Sequence, residues 1–273
     1  METTTAARLS DLETVLIWEG ELDNGRIREL LGVQTVWASR LLGGLAKAMG
    51  RQAKRETAHA PLKLTPKALE QFSGRSPDEY LRVIESSTSK AGQSLVEDAR
   101  LDLSTASPAV FAPLLQAAAQ GTGLRITYRS MSTPQGTVRL VFPHALVRAP
   151  RRWHMRAWCV QRSAFRDFTV GRIAAVESVD DMAPVGRQDD LAWNTHLELQ
   201  VAAHPGLSAE QQTMIAGEYF PGRRQLLLSV RQCLAGYIIQ DLRIAINAAK
   251  QRPPEYQLLV KNADQLPSLF STA

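Results

Sequence analysis

Apolar residues recur with two different periods along the chain, and the change of period divides the chain into regions. Between Leu9 and Met49 they return every three or four positions, which predicts amphipathic helices. Between Leu124 and Val176 they alternate with polar residues, which predicts half-buried strands. Beyond His196 strand-like and helix-like runs follow one another. The pattern therefore predicts an α+β multidomain protein.

The first region has the spacing of a helix-turn-helix. Helices are predicted from Leu9 to Trp18, from Asn24 to Leu31 and from about Thr35 to Met49. Asn24 is the expected N-cap of the second helix, and Gly32 follows its end, as is common at helix C-termini. A helix, a tight turn with glycine and another helix form the motif that enters the major groove of DNA. The buried face of the third helix is expected to comprise Val36, Leu41, Leu42, Leu45 and Met49.

Charge changes sign within this region. Residues 1–33 contain three basic and seven acidic side chains, whereas residues 34–67 contain seven basic side chains and one acid. A basic surface on an otherwise acidic domain is the electrostatic footprint of a DNA-facing surface. Weak alternation in residues 50–66 predicts a two-stranded wing. Residues 1–72 are therefore predicted to form a winged helix-turn-helix DNA-binding domain.

The predicted DNA contacts lie on the N-terminal side of the third helix and on the wing. Arg40 is expected to contact guanine with both arms of its guanidinium, and Lys54 and Arg55 to contact the phosphate backbone. Core packing is the alternative for Trp37, and a solvated helix face is the alternative for Ser39 and Arg40. The full predicted set is Gln34, Thr35, Trp37, Ser39, Arg40, Lys54 and Arg55.

Two capped helices connect this domain to the strand region. One is predicted to begin at Ser76 or Pro77, and another runs from Ser107 to Gly121. Acids exceed bases between Ala68 and Thr122, which argues against DNA contact there. Residues 73–121 are therefore predicted to form a helical connector.

Arginine dominates the strand region. Residues 124–176 contain ten arginines, no lysine and one acid, Asp167, which gives this segment a net charge of +9. A guanidinium holds phosphate or carboxylate with two parallel hydrogen bonds, whereas lysine acts as a point charge. The alternation predicts a small bent antiparallel sheet of about five strands, as in a partly closed barrel. Arg152, Arg156, Arg166 and Arg172 are expected to line an anion pocket or to be solvated; solvation is the expectation for Arg125, Arg129, Arg139 and Arg162.

The same segment resembles a WYL domain. The matching elements are Tyr128 with Ser130, Pro143 with His144, the triplet Trp153-His154-Met155, and the closing Arg-x-Phe-x-x-x-Arg-Ile of residues 166–173. The triplet departs from Trp-Tyr-Leu at its second and third positions. In outline the resemblance extends along the whole chain, and it is closest to the winged-helix repressors found beside bacterial phage-defence operons.

The resemblance implies a fold for the central region, and its arginines indicate a ligand. Residues 122–182 are expected to form an Sm-like small β-barrel, the WYL domain. Because phosphate suits arginine forks, this domain is expected to sense an anion such as a nucleotide or a nucleic-acid fragment. The expected ligand-binding residues are Tyr128, Ser130, His144, Arg152, His154, Arg156, Arg166, Phe168 and Arg172.

The C-terminal region predicts a small α+β domain in residues 183–273. After a polar, turn-rich linker, its runs read strand, helix, strand, helix, strand, with the second helix over residues 231–246. The resemblance implies that this domain mediates dimerisation or covers the ligand site.

These observations predict a homodimeric transcriptional repressor that binds a palindromic duplex, since two helix-turn-helix units double the sequence readout. The alternative is an RNA- or single-strand-binding sheet with the winged domain as a secondary anchor. No catalytic residues, metal site or cofactor are expected, because the sheet segment supplies one carboxylate and its histidines lack a nucleophile beside them. No membrane span or signal peptide is predicted, so a cytoplasmic location is expected.

Overall fold

The computed structural model describes residues 2–72, 76–86, 96, 98–100 and 106–267. The chain divides into two compact units, residues 1–100 and residues 101–273. Within the described ranges no helix combines the length and the apolar composition that crossing a membrane requires.

Helices and one small sheet form the first unit. Its antiparallel strands lie in the order β1-β3-β2, and β2 and β3 form a hairpin after the third helix. The helices are α1 (Glu2–Glu19), α2 (Asn24–Leu31), α3 (Thr35–Met49), α4 (Pro66–Gln71) and α5 (Pro77–Glu85); the strands are β1 (Glu21–Leu22), β2 (Ala53–Lys54) and β3 (Leu62–Leu64).

The predicted bounds of α2 and α3 are confirmed, and three details are corrected. Asp23, rather than Asn24, caps α2, because its carboxylate accepts the backbone N–H of Arg26 at 2.7 Å. The helix ends at Gly32, whose φ of 61° suits glycine. Val36 is 67% exposed rather than inward, and Ala38 takes the buried position on that face. Helix α1 begins at Glu2, before the predicted Leu9.

A partly buried ion pair and a hydrogen bond to it join α1, α2 and α5. The Arg26 guanidinium of α2 contacts Glu19 at the end of α1 at 2.6 Å and Glu29 at 2.9 Å. Tyr80 of α5 donates its hydroxyl to the same Glu19 at 2.8 Å. Hydrogen bonding to Glu19 raises the pKa of Arg26, and burial followed by the Glu19 contact raises that of Tyr80. Glu19 and Glu29 are therefore both paired with a cation of the same unit.

The first described helix of the second unit packs on a five-stranded sheet. The strands are all antiparallel, in the order β7-β6-β5-β4-β8, which confirms the predicted sheet of five strands. Helix α6 (Pro108–Gln120) is capped by Ser107 and ends at Gly121. The strands are β4 (Thr122–Tyr128), β5 (Thr137–Ala149), β6 (Arg152–Cys159), β7 (Ala164–Thr169) and β8 (Ile173–Met182).

The C-terminal part of this unit contains a four-stranded sheet in the order β10-β9-β12-β11. The predicted second helix is too long: it ends at Asp241, Arg243 adopts a positive φ of 47°, and the chain then enters a short strand parallel to β12. A short helix also lies in the predicted linker. The elements are α7 (Leu191–Asn194), β9 (His196–Ala203), α8 (Ala209–Tyr219), β10 (Leu226–Arg231), α9 (Gln232–Asp241), β11 (Ile244–Ala245) and β12 (Leu258–Val260).

Candidate nucleic-acid interface and anion site

The first candidate surface is the N-terminal half of α3. Gln34, Thr35, Ser39 and Arg40 are all exposed there. Arg40 makes no salt bridge within the described ranges of the chain, so its guanidinium is available to a partner. Trp37 is half-buried and packs against the core of the unit, in line with the core-packing alternative.

Hydrogen bonds position this half of α3. The Asn24 side-chain amide donates to the hydroxyl of Ser39 at 2.8 Å and to the carbonyl of Thr35 at 3.0 Å. Helix α2 therefore holds the first turns of α3 in place, and Ser39 is partly engaged before any ligand binds. Asn24, which was predicted to cap α2, instead uses its side chain to position α3.

Two further features concern the predicted contact residues and their neighbours. The Arg55 side chain donates to the carbonyls of Ala60 at 3.0 Å and Ala58, so it closes the turn between β2 and β3, whereas Lys54 is exposed. Val36, which the sequence pattern placed in the core, presents an apolar side chain beside Thr35. Apolar contact with a thymine methyl group is one way that proteins distinguish bases in the major groove.

The predicted ligand-binding residues of the five-stranded sheet lie on two opposite faces. Register pairs Phe168 with Met155 and Arg166 with Ala157, on the face that packs toward α6. His154 and Arg156 occupy the alternate positions of β6 and point to the other face. The structure therefore does not bring the predicted set together at one point.

Aromatic residues on the α6-facing side are buried. Tyr128 meets Phe168 edge to face with ring centroids 5.1 Å apart, and its hydroxyl accepts the backbone N–H of Thr169 at 3.2 Å. Arg139, expected to be solvated, is half-buried with its guanidinium 5.4 Å from the Tyr128 ring centroid. Ser130 lies in the following turn and bonds to Thr133 at 2.6 Å.

A network of charged and polar residues lies on the other face. The Arg156 side chain, on a residue only 7% exposed, bonds both oxygens of Asp190, with Nε to Oδ2 at 2.8 Å and Nη2 to Oδ1 at 2.9 Å. A third bond joins Nη1 to Asp167 at 3.2 Å. His144 Nε2 contacts Asp190 Oδ2 at 2.9 Å. Arg156 thus binds carboxylate in the two-pronged manner that the sequence predicted for a ligand.

Helix α9 contributes to the same network. The Tyr237 hydroxyl donates to Asp167 Oδ2 at 3.0 Å and lies 3.4 Å from His154 Nδ1. Burial, reinforced by the negative charge of Asp167, raises the pKa of Tyr237. Arg152 is exposed, and Arg172 is half-buried in the turn after β7. Burial lowers the pKa of His154, the charge of Asp167 opposes this, and the charges of Arg152 and Arg172 add to the lowering.

Burial and hydrogen bonding compete in the charged pair. Burial opposes the charge of Arg156, but hydrogen bonds to Asp190 and the charge of Asp167 outweigh it, so its pKa is raised. The pKa of Asp190 is lowered because bonds from Arg156 and His144 outweigh burial. Burial dominates for His144, whose pKa is lowered despite the neighbouring carboxylate. The network therefore holds a neutral imidazole beside a charged pair at neutral pH.

Two buried polar atoms beside the pair are unsatisfied. His144 Nδ1 and Trp193 Nε1 have no hydrogen-bond partner within the described part of the chain. The two rings meet edge to face, with centroids 5.2 Å apart. Because buried polar atoms are normally paired, these two identify a place where a bound molecule could supply an acceptor and a donor.

Asp190, Trp193 and Tyr237 were missed by sequence reasoning. Asp190 precedes a short apolar run and accepts the backbone N–H of Trp193 at 3.2 Å, so the sequence signal available was that of a helix N-cap. Nothing in that signal pairs it with Arg156, which lies 34 positions earlier. Among the residues that the structure describes, no group of histidine, cysteine and acidic residues has the arrangement of a metal site.

Comparisons with known proteins match two consecutive parts of the chain. Residues 109–178 match the WYL domain, and residues 196–266 match the C-terminal dimerization domain of the BrxR transcriptional regulator. The PafBC proteasome accessory factor of Arthrobacter aurescens covers 71% of this chain and 29% of its own at 19% identity, but its TM-score of 0.30 is too low to support an inference.

Among curated proteins, similar relatives carry the name DNA-binding transcriptional repressor CapW. That of Escherichia coli strain KTE188 is 36% identical over 59% of this chain and 54% of the relative. That of Pseudomonas aeruginosa is 27% identical over 96% of this chain and 91% of the relative. That of Stenotrophomonas maltophilia is 32% identical over 57% of this chain and 52% of the relative. The chain thus spans about half the length of the E. coli and Stenotrophomonas relatives in these alignments. The chain therefore contains one region that matches the WYL domain and, after it, one region that matches the BrxR-type C-terminal dimerization domain.

Proposed function

We propose that this protein is a homodimeric, sequence-specific transcriptional repressor whose α3 reads operator DNA. The observation that carries the proposal is the exposed Arg40, free of salt bridges in the described chain, on the first half of α3. The name of the CapW relatives and the matched dimerization domain support it. Control of a phage-defence operon, which the sequence resemblance implied, is part of the same proposal.

The order of elements in the first unit supports a winged helix-turn-helix. Helix, strand, two helices and a hairpin follow one another, and the hairpin strand β3 pairs with both β1 and β2. In this arrangement α3 is the recognition helix, and the hairpin that carries Lys54 is the wing. Residues 1–72 are the proposed DNA-binding domain and residues 73–121 the proposed connector.

We also propose a ligand-sensing role for residues 122–182, with residues 183–273 as the dimerisation domain. The strand order β7-β6-β5-β4-β8, with a 3-10 turn over Val170–Arg172 between the two edge strands, supports an Sm-like barrel. The proposed ligand is a phosphate-bearing nucleotide or nucleic-acid fragment, which suits arginine forks. Its binding would change the affinity for operator DNA through a coupling free energy of about 1–3 kcal/mol.

The single-strand-binding alternative is less well supported. Such a platform stacks bases on exposed aromatic rings. Tyr128 and Phe168 are buried in this sheet, and Trp153 packs edge to face on Phe111 with ring centroids 5.2 Å apart. The exposed surface of α3 therefore favours duplex DNA as the principal nucleic-acid partner.

DNase footprinting on the DNA upstream of the protein's own gene tests the proposal. A dimeric winged protein is expected to protect two inverted half-sites centred about 10 base pairs, or a multiple of that, apart. The Arg40→Ala protein serves as the matched variant and is expected to lose the footprint at concentrations where the unmodified protein protects fully. Uniform protection without a preferred site would refute sequence-specific repression.

A further inference from the structure

We propose that Asp190 is an internal counterion that occupies the anion site of Arg156, and that a phosphate-bearing ligand binds by displacing it. The inference rests on the ligand-sensing part of the proposed function and names the regulation of that site. The sequence predicted Arg156 to bind an anion, and in the structure the anion is supplied by the protein itself.

The geometry of the pair is that of a ligand complex. Both oxygens of Asp190 bond the edge of the guanidinium formed by Nε and Nη2, at 2.8 and 2.9 Å. That planar fork binds carboxylate and phosphate in the same two-pronged way. Asp190 is 1% exposed, so this edge of Arg156 is closed to solvent while the carboxylate remains in place.

Two cations from different parts of the unit lie over Trp193, the residue whose backbone N–H bonds Asp190. Arg187 and Arg231 stack on Trp193, with their guanidinium carbons 5.0 and 4.8 Å from its ring centroid. Trp193 in turn donates its backbone N–H to Asp190. A phosphate group carries more charge and more acceptor oxygens than one carboxylate, so it is better matched to a site where Arg156 is the bonded cation and two further cations lie beside Trp193.

The unsatisfied atoms give the second, independent argument. Trp193 Nε1 is a buried donor and His144 Nδ1 a buried acceptor, and each lacks a partner in the described residues. His144 uses its other nitrogen on Asp190. The internal carboxylate therefore leaves two polar atoms of its own site unbonded. A phosphate oxygen would accept the bond from Trp193 Nε1, and a sugar hydroxyl or a base N–H would donate to His144 Nδ1.

Displacement of Asp190 would alter the C-terminal region directly. Asp190 is the N-cap of α7, so release of its side chain removes the cap bond to Trp193. The Arg231 guanidinium at the end of β10 donates to the carbonyl of Trp193, which links α7 to the sheet of the matched dimerization domain. Ligand binding at Arg156 would in this way reach the region that matches a dimerization domain.

The test compares Asp190→Asn with the unmodified protein and with Asp189→Asn, the exposed neighbour that lacks a bond to Arg156. Binding is measured by calorimetry with two probes, inorganic pyrophosphate and a 5′-phosphorylated trithymidylate, which separate a free phosphate source from a nucleic-acid source. Asp190→Asn is expected to bind at least one probe about tenfold tighter, within the usual 5–150-fold range of coupling, and Asp189→Asn to match the unmodified protein. Addition of Arg156→Gln to Asp190→Asn is expected to abolish the gain.

Hydrogen exchange on the unmodified protein provides a second measurement that does not depend on the stability of a variant. A saturating probe is expected to reduce the protection of the amides of Leu191–Asn194. No gain in Asp190→Asn, a gain that survives Arg156→Gln, or binding without loss of that protection would overturn the inference. Operator binding, measured on the same preparations, reports separately on the proposed repressor function.

Discussion

Arginine occurs in opposite environments in the two units of this protein. Arg40 on α3 is exposed, and Arg156 on β6 is buried between two carboxylates. An exposed cation costs little free energy to maintain and is available for a partner, whereas a buried one is stable only while its counterions remain. The comparison shows that arginine content locates cationic regions, and that burial decides which arginines are open to a partner and which are engaged by carboxylates of the protein itself.

The largest effect is expected from removing the buried cation. Arg156→Met leaves the buried Asp190 and the half-buried Asp167 without their cation, which is expected to lower the free energy of unfolding by about 3–5 kcal/mol. Chemical denaturation measures the change. Arg125→Met is the matched control, since its pair with Glu177 at 2.9 Å is exposed, and a loss of no more than about 1 kcal/mol is expected there. Equal losses in both variants would remove the distinction between the two kinds of arginine.

The next effect concerns the exposed cation. Arg40→Ala is expected to reduce operator affinity by about 1–3 kcal/mol and to relax the preference at one base position, without lowering the free energy of unfolding. Anisotropy titrations on the operator and on single-base variants measure both quantities. If the affinity fell equally on all duplexes, Arg40 would be a phosphate contact rather than a base contact.

The buried network also predicts that the stability of the protein depends on pH. The lowered pKa values of His144 and His154 mean that the unfolded chain binds protons first, so stability is expected to fall as pH drops below the ordinary histidine value of 6.5. The lowered pKa of Asp190 adds a further loss as pH falls below 3.8 toward its folded value. Thermal unfolding between pH 8 and 5, with His144→Gln combined with His154→Gln as the comparison, checks the first loss. An unchanged pH profile in that double variant would assign the dependence to other groups.

The smallest effect is expected at the wing. Lys54→Ala is expected to weaken binding equally on specific and scrambled duplexes and to reduce the slope of log affinity against log salt by about 1, because it removes one phosphate contact. Salt titrations of both duplexes give the slope. Loss of sequence preference in this variant would instead show that the wing reads bases.

Local chemistry made parts of the fold predictable. Gly32 and Ser107 marked helix ends that the structure confirms, and period-two alternation around Tyr128 marked the sheet. Each of these signals lies within a few residues of the feature it specifies. Val36 misled the pattern because it lies in the first turn of α3 outside the buried face that Ala38, Leu41 and Leu42 share, a distinction that apolar spacing alone does not make.

The network around Arg156 could not be predicted from short sequence patterns, because its members are far apart in the chain. Its partners come from the turn before α7 and from α9, and only the packing of the C-terminal region on the sheet brings Asp190 and Tyr237 to it. The charge of the sheet segment, counted without those partners, suggested open cationic sites. Tertiary contacts between distant segments therefore decide the state of these arginines.

The most direct test of the central claim is fluorescence anisotropy of the protein on duplex DNA from upstream of its own gene and on a scrambled duplex, across a salt series. The account predicts discrimination of about 4 kcal/mol or more at physiological salt, lost or relaxed in Arg40→Ala. Equal affinity for the two duplexes, lost for both as the salt concentration rises, would contradict sequence-specific binding. The basic surface of α3 would then be a nonspecific anchor.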